Sequence, residues 1–101
     1  MQNNFISEKY LGYQQLTSLT AAQKLKIPPG TKMLLAQPEV QGVRWLIDND
    51  AGNLSSSNGY PLGAGNELRF TGTMAQMQTL SFIGQAAGAI LNVTYFANGE
   101  Y

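Results

Sequence analysis

The sequence predicts an all-β domain, a compact two-sheet β-sandwich or jelly roll of about seven to eight antiparallel strands, preceded by an N-terminal arm. Three observations predict it. Short stretches alternating apolar and polar residues recur at intervals of roughly ten residues, as in sandwiches and barrels. The 11 glycines and 4 prolines fall largely between those stretches. The clearest alternation, Val43, Trp45 and Ile47 against Arg44, Leu46 and Asp48, opens a segment from Gly42 to Gly72 that closes on a second such strand.

A chain of 101 residues makes one domain, here residues 10–101, with 1–9 as the arm. The arm is polar apart from Phe5 and Ile6 and reads first as a frayed terminus, the alternative being an arm that lies on a neighbouring subunit with Phe5 and Ile6 as anchors. Tyr10 to Thr20 is a strand, because Tyr and Thr favour the pleated surface. Ala21 to Ile27 is too short for a stable helix, and its alternation suits a strand entering the turn Pro28-Pro29-Gly30. Thr31 to Gln37 is apolar on both faces, Met33 and Leu35 on one and Leu34 and Ala36 on the other, and so is central to a sheet. Pro38 should end it, since proline donates nothing to a ladder. Alternation makes Trp45 a core residue.

From Asp48 to Asn66 the chain reads as one long polar loop. Leu68 and Phe70 then face one way, with Glu67, Arg69 and Thr71 the other. Met74 and Met77 fit a single helical turn. Leu80 and Phe82 point inward, and Leu91, Val93 and Tyr95 share one face of the last strand. Strand order does not follow from the pattern.

Composition removes several function classes. Without cysteine there is no disulfide and no thiolate metal site. Without histidine there is no Cys-His or Ser-His-Asp machinery. Six basic residues balance six acidic ones, which gives no electrostatic case for nucleic acid. Met1 to Tyr10 lacks the apolar core of a secretory signal, and no run approaches the ~20 apolar residues of a membrane span, so the expectation is a protein made in the cytoplasm. Only 12% of residues are charged, about half the usual share. Such a surface suits a partner that covers it.

Candidate sites are correspondingly few. Asp48-Asn49-Asp50-Ala51-Gly52 fails as a calcium loop: its glycine is fifth rather than sixth, and its twelfth residue is Gly59 rather than glutamate. No catalytic, cofactor or metal residues are assigned. Asn53, Ser55, Ser56, Ser57 and Asn58 beside Tyr60 could bind a sugar, as hydrogen-bonding groups around an aromatic plate. Tyrosine is enriched at interfaces, and the partner-binding candidates are Phe5, Ile6, Tyr10, Tyr13, Arg44, Tyr60 and Tyr101. Asn53-Leu54-Ser55 and Asn92-Val93-Thr94 match the glycosylation pattern by chance.

Several pieces recur in an order seen elsewhere. They are Ile27-Pro28-Pro29-Gly30-Thr31, Val43-Arg44-Trp45 before an acidic turn, Gly59-Tyr60-Pro61-Leu62, Ala64-Gly65, Leu68-Arg69-Phe70 and Ala89 to Tyr95. Together they resemble small virion structural proteins of tailed bacteriophages and prophages, the head decoration and head–tail accessory proteins. The chain departs from that pattern at Leu46-Ile47, where the group more often carries charge. The resemblance implies a non-enzymatic β-sandwich in the virion. Its partners would be the major capsid protein or other virion proteins, with self-association, commonly as a trimer. The alternative is a carbohydrate-binding or receptor-binding module of a phage tail.

Overall fold

The computed structural model describes residues 8–47 and 52–98. Eight strands form: β1 (Glu8–Leu16), β2 (Gln23–Lys24), β3 (Met33–Glu39), β4 (Val43–Leu46), β5 (Tyr60–Leu62), β6 (Leu68–Thr71), β7 (Ser81–Gly84) and β8 (Ile90–Asn98). They pair antiparallel as β1 with β8, β2 with β7, β3 with β6 and β4 with β5. That is a long ribbon doubled back on itself at the β4–β5 connection. Rolling the ribbon joins β3 to β8 and β4 to β7. Two four-stranded sheets result, ordered β1-β8-β3-β6 and β2-β7-β4-β5. Every connection except β4–β5 crosses from one sheet to the other, which is jelly-roll topology.

The inner faces supply the core expected from alternation. Leu34 and Ala36 of β3, Val43 of β4, Phe82 of β7 and Leu91, Val93 and Tyr95 of β8 are all buried in one cluster. Met77 closes it from α1 (Met74–Met77), a single turn capped by a reciprocal box between Thr73 and Gln76. No helix of the described residues is long and apolar enough to cross a membrane.

Turn chemistry fixes the corners. Pro28-Pro29-Gly30-Thr31 is a type II turn: Gly30 has φ +89°, and the Thr31 amide and hydroxyl donate to the Pro28 carbonyl at 3.3 and 2.7 Å. The β3–β4 corner is less comfortable. Val40 holds φ 74°, which costs a β-branched residue about 1–3 kcal/mol.

Several expectations need correction. Glu8 and Lys9 belong to β1 rather than to the arm, pairing with Asn98 and Ala97. β1 stops at Leu16, well before Thr20, and β2 is two residues long. Pro38 lies inside β3, opposite Leu91. It is tolerated there because the ladder to β6 has already ended at Ala36↔Leu68, so no amide is missed on that side. The Pro38 carbonyl, directed the same way, accepts the Gly65 amide at 2.9 Å. The supposed loop from Asp48 to Asn66 contains β5, an edge strand that tolerates Pro61 for a similar reason. Trp45 has the predicted phase but not the predicted depth. It packs on the core while remaining half-buried, because its outer neighbour is the short edge strand β5.

One buried phenol gives a pH signature. Tyr95 is 1% exposed and donates to Gln14 Oε1 at 2.7 Å, and that same oxygen accepts the Lys26 amide at 3.1 Å. Burial pushes its pKa well above the ordinary value of 10.0. The folded state therefore holds this proton more tightly than the unfolded chain. Tyr95 contributes fully below about pH 10, and its contribution is lost as pH rises above that. Tyr95→Phe is expected to cost about 1 kcal/mol at pH 7 and to flatten part of the alkaline decline, as read by urea unfolding at pH 8 to 11.

Candidate functional site

The outward residues of the β1-β8-β3-β6 sheet follow from its register. One row across the strands is Tyr10, Phe96, Met33 and Thr71; the next is Tyr13, Thr94, Leu35 and Arg69; a third is Gln15, Asn92 and Gln37. These alternate with the core residues, so they stand on the face turned away from the second sheet.

The first two rows are largely apolar and aromatic. Tyr10 is 61% and Tyr13 54% exposed. Tyr10 meets Phe96 edge to face, with ring centroids 6.4 Å apart. Met33 is buried although it points away from the core, and its sulfur accepts Arg69 Nη1 at 3.3 Å. Leu35, between them, is half-buried. A β-bulge at Tyr10–Gly12 sets the two tyrosines on this one face; without the extra residue, their spacing of three would put them on opposite sides.

The third row is tied together by its own hydrogen bonds. The Tyr13 hydroxyl donates to Asn92 Oδ1, and Gln15 Nε2 donates to the same oxygen at 2.9 Å. Asn92 Nδ2 donates to Glu39 Oε1 at 2.7 Å. Glu67 forms an ion pair with Arg69 at 3.6 Å. Donors and acceptors on this face are largely engaged with one another. What remains available is a flat, pre-ordered surface with an apolar half and a polar half.

No family model, curated protein or solved structure matches the chain. The chemistry of the site thus rests on its own residues.

The partner-binding candidates fall in two places. Tyr10 and Tyr13 lie together on the outer face just described. Arg44 and Tyr60 lie in the other sheet, and Arg44 has an internal task. Its Nε and Nη1 donate to the carbonyls of Ser56 and Gly59 at 3.2 and 2.9 Å, clamping the segment before β5. Leu54, buried, plugs the same segment. Tyr60 is 59% exposed and packs against Trp45 with centroids 5.0 Å apart and the rings tilted by 42°. Phe5, Ile6 and Tyr101 lie outside the described residues, as do Asp48 and Asp50.

The sugar reading of 53–58 meets a specific difficulty. Asn58 Nδ2 donates to the Asn53 carbonyl at 2.6 Å, Ser55 and Asn58 exchange backbone hydrogen bonds, and the Ser55 hydroxyl accepts the Ser57 amide at 3.3 Å. Much of this polarity is engaged in holding the loop, although Asn53, Ser56, Ser57 and Asn58 are exposed. Among the described residues, no group of three or more metal-ligating side chains converges. An open hollow of about 230 Å³ between Leu19, Thr20, Ser56 and Gly84–Ala87 offers hydroxyls with no base in its lining to activate them.

Sequence reasoning missed Met33, Leu35 and Phe96 as site residues. The signal was present, since β3 is apolar on both faces. An apolar pattern on both faces marks a central strand, which β3 is. It equally marks an outer face with apolar content.

Proposed function

We propose that this chain is a non-enzymatic structural protein of a tailed-bacteriophage virion, a decoration or head–tail accessory protein that adds binding energy to the capsid lattice. One observation carries the reading: the outer face of the β1-β8-β3-β6 sheet sets Tyr10, Tyr13, Leu35 and Phe96 on a pre-ordered surface whose charges, Arg69 with Glu67 and Glu39 with Asn92, are already engaged. Interface cores are enriched in such aromatic residues and depleted of charge. The resemblance of the sequence to this group supports the same role. Copies linked to one another and to several capsid subunits would resist separation of those subunits, with no chemistry beyond binding.

Labelled protein added to heads and tails prepared without it tests the reading. Saturable binding to heads, with release of packaged DNA moved to a higher temperature, is the expected result. Saturation of empty tails with heads ignored would overturn it. A second reading rests on Tyr60, the exposed plate backed by Trp45, which suits stacking against a sugar ring. Quenching of Trp45 emission by a glycan would favour that reading.

A further inference from the structure

We infer that the apolar half of the outer β1-β8-β3-β6 face receives residues 1–7 of a second copy of this chain. The inference does not depend on the virion reading, because it concerns how copies join one another.

The face is too small to hold two sandwiches together by itself. Four strands at about 4.8 Å spacing, over the length of three or four outward rows, give roughly 20 by 20 Å, on the order of 400 Å². A stable protein interface needs about 800 Å² from each partner. An extended segment adds the missing area without requiring a second flat body.

Where the chain leaves the sandwich decides whose segment it is. The pairs Glu8↔Asn98 and Lys9↔Ala97 lie beyond Met33↔Phe96, the last pair that β3 contributes to this ladder. β1 thus runs on, paired only with β8, past the end of β3, and leaves the sheet beyond the edge of its own outer face. Residues 1–7, Met-Gln-Asn-Asn-Phe-Ile-Ser, contain no glycine or proline to reverse that direction. A neighbouring copy's face has no such constraint, and seven extended residues reach about 23 Å, enough to cross it.

Composition matches as well. The segment is uncharged in its side chains, with Phe5 and Ile6 as its apolar pair among amides and a hydroxyl. The receiving surface has the corresponding division: Tyr10, Phe96 and Leu35 on one side, Gln15, Asn92 and Gln37 on the other. No charge of the segment's side chains is stranded when the two meet. Exchange of an identical element between copies is a low-cost route to oligomers.

Sedimentation velocity across a concentration series tests the contact, with circular dichroism confirming that each variant is folded. The full chain is expected to associate. A chain starting at Ser7 and the Tyr13→Glu/Leu35→Glu chain should each be monomeric alone. Phe5→Ala should weaken association at least ~tenfold. Mixing the shortened chain with the face variant should restore a heteromeric contact, because one retains the face and the other the segment. A full chain that stays monomeric at millimolar concentration, a shortened chain that associates as well as the full one, or a mixture that fails to pair would each overturn the inference. Binding to phage heads is a separate readout, so failure here leaves the virion reading to its own test.

Discussion

Phe82→Ala is expected to lower the folding free energy by about 3–5 kcal/mol, a large part of the 5–15 kcal/mol typical of a domain. Phe82 is fully buried at the centre of its sheet, opposite Gln23 of β2 on one side and Trp45 of β4 on the other. Few neighbours can move to fill the space, since β7 is held on both flanks and its other three residues are buried too. The urea midpoint should fall with little change in slope, because the same surface is exposed on unfolding. Tyr13→Ala provides the contrast. It removes a ring of similar size from an exposed position on the outer face, and the midpoint should move little. The pair separates the side of the jelly roll that holds the fold from the side available for contact. An equal loss at both positions would mean that the outer face is structural, and would count against every docking role assigned to it.

Much of this division was legible before any coordinates. The phase of Leu91, Val93 and Tyr95, of Leu68 and Phe70, and of Leu80 and Phe82 gave the residues that share a face, because a strand alternates with period two in any sheet. Strand order was not legible, since the same alternation fits every pairing of eight short strands. Depth was not legible either, and Trp45 shows why. Alternation fixes which side a residue occupies, but burial depends on how far the neighbouring strand extends, and β5 is three residues long. Pro38 misled for a related reason: a proline breaks a ladder only where a partner strand lies beside its nitrogen. The two tyrosines of the candidate face depended on a bulge. Tyr10 and Tyr13 are three apart, and nothing in the local sequence states that Leu11 is the extra residue that puts them on one side.

Gly59→Ala is expected to cost about 2–4 kcal/mol and, more usefully, to distinguish the two candidate surfaces. Gly59 has φ +134°, a conformation that L-residues rarely adopt. A Cβ there would sit 2.6 Å from Leu54 Cδ1 and 3.3 Å from the Trp45 carbonyl oxygen. Its own carbonyl is one of the two that Arg44 holds. The substitution therefore pushes Leu54 from its buried position, loosens the Arg44 clamp and moves Tyr60 relative to Trp45, which a change in Trp45 emission would report. None of these groups belongs to the opposite sheet. Binding to phage heads should thus persist in the folded fraction of Gly59→Ala and fail in Tyr13→Glu/Leu35→Glu. The reverse pattern, with heads bound by the face variant and ignored by Gly59→Ala, would transfer the contact to the Trp45–Tyr60 end. The proposal that the tyrosine face meets the capsid would then fall.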